Sequence, residues 1–176
     1  PEIMVGQGTL GLELFQQTKD RSVCLDYLLG PCSGGGMISG SAIVFNDRSH
    51  STKIYTVEPV GYDDTALSLA KGERVKIEPG TPSFCDALLL ETPGETTFAV
   101  NKELLAGGLV VSQAETAVAM KTAFREYKII VEPSGAVALA AALSGKINIQ
   151  GKTVGIICTG GNVDAITFKD VLNGEY

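Results

Sequence analysis

The stretch Gly30-Pro31-Cys32-Ser33-Gly34-Gly35-Gly36-Met37 sets three consecutive glycines between an apolar run and a second one, Ile38 to Phe45. In a strand, glycine loop and helix arrangement, several backbone N–H groups converge on one anion at the positive end of the helix dipole, and phosphate is the natural guest. Glycine suits such a loop because side chains would block close approach and because some positions must take positive φ. Ser33 adds a hydroxyl donor. A tight turn without a ligand is the alternative reading of any glycine triplet. The loop alone does not choose among nucleotides, sugar phosphates and coenzymes. A P-loop would need Gly-Lys-Ser/Thr, whereas Gly36 is followed by Met37 and Ile38. Gly34, Gly36 and Gly40 approximate a dinucleotide fingerprint with one residue too many before the last glycine, which keeps a dinucleotide as the second candidate.

The elements that must position this loop follow from hydrophobic spacing. A strand at residues 25–29 feeds the loop and a helix at 37–45 leaves it, its N-terminus facing the glycines. Mixed helical spacing predicts an earlier helix over 8–17. The run Lys-Ile-Tyr-Thr-Val-Glu at 53–58 reads as a second strand, with a helix following at 62–71. Residues 72–101 are rich in Gly, Pro, Thr and Glu without a sustained period, and predict an extended loop region. Val110 and Val111 end a short strand, and Ser112-Gln113-Ala114-Glu115 has capping-box spacing for a helix over 114–127. An alanine-rich helix at 136–143 and a strand at 154–158 complete the pattern.

Alternating short strands and helices favour an α/β fold. The 176 residues match the size of one domain or a large piece of one, with 44% hydrophobic and 19% charged residues. No apolar run approaches the roughly 20 residues that span a bilayer, and no basic-then-apolar leader opens the sequence, so a soluble cytoplasmic protein without a membrane partner is expected. A net charge of -6 without a basic block argues against nucleic acid as a partner. Cys24, Cys32, Cys85 and Cys158 form no Cys-x-x-Cys pair, which disfavours zinc and a disulfide framework, and most of them are expected to be small buried residues. Lone His50 reads as a surface loop residue.

Four segments taken in order carry a resemblance: Val5-Gly6-Gln7-Gly8-Thr9, the loop from Pro31 to Met37, Val131-Glu132-Pro133-Ser134-Gly135-Ala136, and Cys158-Thr159-Gly160-Gly161-Asn162-Val163-Asp164. Together they resemble the serine/threonine dehydratase and serine racemase family of fold type II pyridoxal-phosphate enzymes, over nearly the whole chain. The resemblance implies an open, mostly parallel sheet flanked by helices. It makes residues 1–176 a single partial coenzyme-binding domain, with a lysine-bearing N-terminal segment and a small domain outside it. The implied anion is the 5'-phosphate of pyridoxal 5'-phosphate, held by Ser33, Gly34, Gly35, Gly36 and Met37. Ser33 replaces the family's more usual glycine and keeps its amide.

The resemblance also sets the Thr159 hydroxyl against the pyridine nitrogen. A hydroxyl there does not strongly favour a protonated ring, and the weaker electron sink suits elimination, where a leaving group at Cβ takes up the electrons released at Cα. Glu132 matches a position near the ring, and equally fits a cap on the next helix. Asp86 falls in a segment whose backbone lies near the coenzyme. Glu58, the carbonyl of Tyr62 and Asp64 match a divalent-cation site of some members, with hard oxygen ligands for Mg²⁺ or Ca²⁺, while an acidic helix start is the other reading. No segment matches the family's Schiff-base lysine, and Lys53, Lys71 and Lys121 sit in ordinary strand or helix contexts, so no catalytic residue is assigned and this chain alone is expected to be inactive. The function implied is a portion of a threonine/serine dehydratase, an ammonia-lyase of amino-acid metabolism that acts on a small amino-acid substrate. An amino-acid racemase or a non-catalytic phosphate- or dinucleotide-binding domain is the alternative. The implied partners are the missing segment or a companion chain and further copies in a homo-oligomer.

Overall fold

Leu28 and Leu29 are neighbours in sequence and both are fully buried, which a strand achieves only when both faces of its sheet are covered. A computed structural model describes residues 2–78 and 82–176. β1 (Tyr27–Pro31), β2 (Lys53–Pro59), β3 (Gly107–Val111) and β4 (Val154–Ile156) form one sheet in the order β3-β2-β1-β4. Every pairing is parallel, with Leu29 opposite Tyr55 on one side and opposite Ile156 on the other. The chain is therefore α/β with a parallel sheet between helices, as its sequence predicts.

Residues of alternating parity feed two cores. Leu28 and Ile54 pack with Ile38, Ala42 and Phe45 of α2 (Gly36–Arg48), and with Leu10, Leu14 and Phe15 of α1 (Glu2–Asp20). Leu29, Val57 and Val111 face the other way, against α5 (Gln113–Thr122) and α6 (Pro133–Leu143). Alanine and glycine let α6 approach the strands so closely that all but the last of its residues are buried. On the α1 side, α3 (Asp64–Lys71) and α4 (Glu95–Leu104) lie between β2 and β3 in the sequence, while α7 (Ala165–Asn173) adds Val171 and Phe168 to the core on the α5 side.

β1 leads outward through α2 to β2 and then to β3, and the chain returns to place β4 on the opposite flank of β1. The direction of winding thus reverses between β1 and β4. In open parallel sheets the crevice at the carboxyl ends of such strands is where ligands bind. The glycine loop leaves β1 there, and the Thr159 loop leaves β4 at the same edge.

Several boundaries differ from the sequence expectations. The first helix extends to Glu2–Asp20, well beyond 8–17. β1 ends at Pro31, so Gly30 and Pro31 belong to the strand, and β4 stops at Ile156. The loop expected over 72–101 gives way to α4 from Glu95, and residues 79–81 of that stretch lie outside the described residues. α4 buries Phe98 and Asn101, so a polar residue occupies the inward face and hides the helical period. The helix expected to reach 127 is regular to Thr122 and closes in a π-helical turn, Ala123–Tyr127. The capping box is present, Ser112 Oγ accepting from Glu115 N and Ser112 N donating to Glu115. Of the cysteines only Cys32 and Cys85 are buried, while Cys24 and Cys158 are exposed.

Candidate functional site

Gly35 takes φ +83° as the residue that opens α2, and a Cβ there would lie 2.9 Å from Asn101 Nδ2 and 3.1 Å from Thr97. Both the conformation and the crowding demand glycine. Past it, the first turn of α2 presents amides that have no intrahelical acceptor. Ser33, Gly34, Gly35, Gly36 and Met37 line one side of a cavity of about 320 Å³. That volume stands at the small end of ligand pockets, roughly 300–1,000 Å³. Among the described lining residues none is a lysine or arginine, so an anion here depends on backbone N–H groups and the helix dipole. Gly40 is not part of this wall: a Cβ there would stand 2.7 Å from Gly8 N, so its role is the close crossing of α1 and α2. The third glycine of the dinucleotide pattern is thereby accounted for by helix packing.

Thr159 and Glu132 line the same cavity. Glu132 precedes α6, its N–H donates to Gly160 O at 3.2 Å, and its Oε2 accepts from Asn162 N at 2.9 Å. The carboxylate therefore fastens the loop that carries Thr159. Gly135 completes this junction, since any Cβ on it would overlap the Thr159 carbonyl. Ser134 lines it as well, and its Oγ accepts from Ala87 N at 3.0 Å, which draws the segment 85–88 over the cavity. Asp86 is exposed, while its neighbours Ala87 and Leu88 line the space. Ser134, Leu88 and the α4 residues behind the glycine loop escape sequence reasoning. Ser134 alone leaves a signal, as part of the segment Glu132-Pro133-Ser134-Gly135.

Cys32 also touches the cavity, and burial and the nearby Glu58 push its thiol up to about 12, which favours the protonated form. Glu58 is fully buried, and its oxygens accept from Thr65 N at 3.1 Å and Ala66 N at 2.7 Å. It caps α3 from a strand position, a form of the acidic helix start. Burial and Asp64 raise its carboxyl to about 8. Asp64 is raised to about 7, first by its own burial, and its Oδ2 has no hydrogen-bond partner. Among the described residues no cluster of three or more His, Cys, Asp or Glu could hold a metal.

A glycine loop at the switch point of a parallel sheet, sharing one cavity with the loop that carries Thr159, is the arrangement of a ligand-binding α/β domain. The chain belongs to the pyridoxal-phosphate-dependent enzyme family, whose model matches residues 1–160. It is 40% identical over 174 residues to serine racemase of Dictyostelium discoideum, covering 98% of this chain and 52% of that protein. Threonine dehydratase of Nicotiana attenuata is 37% identical over 175 residues, covering 98% of this chain and 28% of its own length. Among solved structures, the processed form of threonine deaminase isoform 2 from Solanum lycopersicum superposes with a TM-score of 0.86 at 35% identity, covering 97% of this chain and 49% of the other. Maize serine racemase gives 0.84 at 36% identity, covering 98% and 52%. The chain thus spans about half the length of most of these relatives, or less. No helix among the described residues is long and apolar enough to cross a membrane.

Proposed function

We propose that the protein carrying this chain is a pyridoxal-phosphate-dependent ammonia-lyase, which eliminates water from threonine or serine to give a 2-oxo acid and ammonia. The observation that carries this reading is the cavity shared by the Ser33 to Met37 loop and Thr159. The residues fit the coenzyme: a loop without lysine or arginine, held to glycine at position 35, lines the same cavity as a neutral hydroxyl suited to a ring nitrogen. When bound, pyridoxal phosphate supplies a conjugated electron sink for the substrate's α-carbon. The loop amides would hold its phosphate, and Thr159 would meet its ring without enforcing a protonated nitrogen. Glu132 would act on the coenzyme through the Thr159 loop that it fastens. These 176 residues would be one part of the coenzyme-binding domain, with the lysine-bearing segment and the small domain contributed from elsewhere. A cytoplasmic homo-oligomer is the proposed setting.

A racemase of the same family is the second reading, favoured by the likeness to two serine racemases. Incubating the complete protein with L-threonine and L-serine should release 2-oxo acid and ammonia. Production of the D-enantiomer without oxo acid would establish the racemase instead, and neither product would point to a phosphate-binding domain without catalysis.

Glu58, Asp64 and the Tyr62 carbonyl are proposed to hold Mg²⁺ or Ca²⁺, with water completing the shell. Two adjoining buried carboxylates, one with an unpartnered oxygen, are the observation in favour. The cation would offset their repulsion and steady the start of α3. Added metal should then raise the melting temperature, by mass action on the folded state. An unchanged temperature with metal and with chelator would leave Glu58 as a helix cap alone.

A further inference from the structure

Behind the glycine loop, on the side away from the cavity, stands a hydrogen-bond cluster that the coenzyme reading does not use. Thr97 Oγ1 lies 2.6 Å from Gly34 O and 3.1 Å from Gly94 O, so its one hydrogen goes to the nearer Gly34 O, and Ser39 Oγ lies 2.6 Å from Gly35 O. Asn101 Oδ1 is 2.7 Å from the same Ser39 Oγ, and Asn101 Nδ2 has no partner although the residue is fully buried. A serine hydroxyl carries one hydrogen and cannot donate to both oxygens. Turning the Asn101 amide by 180° resolves the conflict: Nδ2 donates to Ser39 Oγ, and Ser39 donates onward to Gly35 O. One buried amide N–H is then paired, and the carbonyl oxygen takes the position without a partner.

The consequence follows from peptide geometry. In a trans peptide plane C=O and N–H point in opposite directions. The Gly34 carbonyl shares its plane with the Gly35 N–H, and the Gly35 carbonyl with the Gly36 N–H. Thr97 holds the first carbonyl toward α4, while the second accepts the first backbone bond of α2 from Ser39 N at 2.9 Å and a further bond from the Ser39 hydroxyl, which Asn101 backs. Gly34, Gly35 and Gly36 line the cavity and neither Thr97 nor Asn101 does, so the carbonyls are pinned on the far side and the two N–H groups face the cavity. Gly94, at the start of α4, allows this contact, since a Cβ there would stand 2.7 Å from Thr97 Oγ1 and 3.1 Å from Gly34 O.

We propose that Thr97 and Asn101 are positioning residues for the coenzyme phosphate, acting by fixing the peptide planes of Gly34 and Gly35 so that the loop amides stay aimed at the anion. The inference rests on the coenzyme reading of the cavity. It separates two ligands that differ only in the phosphate, pyridoxal 5'-phosphate and pyridoxal. Loss of one fixing bond should weaken phosphate binding about three- to tenfold.

The test titrates the complete protein, freed of coenzyme, with each ligand by fluorescence, for wild type, Thr97→Val, Thr97→Ser and Asn101→Leu. Thr97→Val and Asn101→Leu should lose about three- to tenfold in affinity for pyridoxal 5'-phosphate and little for pyridoxal, while Thr97→Ser, which keeps the hydroxyl, should behave as wild type. Should Asn101→Leu fail to fold, Thr97→Val, at a half-buried position, decides the matter. Equal weakening of both ligands, or none, would overturn the positioning role while leaving the coenzyme reading in place. A wild type that binds pyridoxal as tightly as its phosphate would overturn the coenzyme reading itself, and the proposal with it.

Discussion

The loops after β1 and β4 are both rich in glycine and both reach one cavity, yet their glycines answer different demands. After β1, Gly35 adopts a left-handed conformation at the wall of an open space. Side-chain hydroxyls of Thr97 and Ser39 hold its carbonyl side from behind. After β4 the demand is crowding. Gly135 admits the Thr159 carbonyl, and Gly160, also at positive φ, lies against the Glu132 carboxylate. On the coenzyme reading proposed above, the glycines after β1 let a ligand come close in addition to fitting against α4, whereas those on the β4 side serve only the approach of the chain to itself. Composition cannot tell these apart, but substitution can.

The largest effect is expected at the crowded junction. Gly135→Ala must displace the Thr159 loop or α6, and overpacking of this kind costs about 3 kcal/mol. Thermal unfolding should show a lower midpoint without coenzyme as well as with it. An unchanged midpoint would mean that the two backbones are not in contact, and the comparison between the loops would fail. At the open loop, Gly35→Val should strike binding harder than folding, through restriction of φ and collision with Thr97 and Asn101. Titration with pyridoxal 5'-phosphate should show binding largely abolished, whereas Ser33→Ala should lose one hydrogen bond, about 0.5–1.5 kcal/mol. Equal curves for wild type and Gly35→Val would remove the phosphate from this loop.

Much of this arrangement is legible in the amino-acid sequence. The strand, glycine loop and helix order declares itself through Leu28, Leu29, the glycine triplet and Ile38, because each obeys a local rule of spacing or conformation. The capping box at Ser112 is equally local. α4 is hidden because its buried face holds Asn101, which pattern reading counts as polar and therefore as exposed. α7 is hidden for a related reason: it buries only Val171 fully, too little to set a period. Glu58 is the reverse case, a carboxylate whose capping of α3 depends on a strand that is adjacent in space. Chemistry that depends on one element reaching another leaves little trace in either segment alone.

Smaller effects sharpen the comparison on the β4 side. Glu132→Ala removes the acceptor for Asn162 N, a neutral backbone donor that water can reach, so the cost should be about 0.5–1.5 kcal/mol. If Glu132 serves mainly to fasten this loop, affinity for pyridoxal 5'-phosphate and for pyridoxal should fall together, since the phosphate cradle is untouched. Selective loss of the phosphorylated ligand would instead couple Glu132 to the β1 loop.

The smallest effect is expected at the far end of the same loop. Asp164 Oδ1 accepts from Ile166 N at 3.0 Å and Thr167 N at 2.8 Å, which caps α7 and anchors the segment that begins at Thr159. Hydrogen bonds from Thr167, foremost, and from the Ile166 amide hold its carboxyl below the usual aspartate range. A carboxyl depressed in the folded state contributes stability above its unfolded pKa of about 3.9 and loses it as pH falls through the lower folded value. Asn caps a helix nearly as well but carries no charge. The melting temperature of Asp164→Asn should therefore lie slightly below wild type at neutral pH, and the gap should close as pH falls below about 3.9. Because Asp164 is solvent-exposed, added salt should narrow the gap at neutral pH as well. Equal melting temperatures at neutral pH would show that α7 is anchored by packing of Val171 and Phe168 instead of by its capped start, and a gap that persists at low pH would show that the charge of Asp164 is not its source.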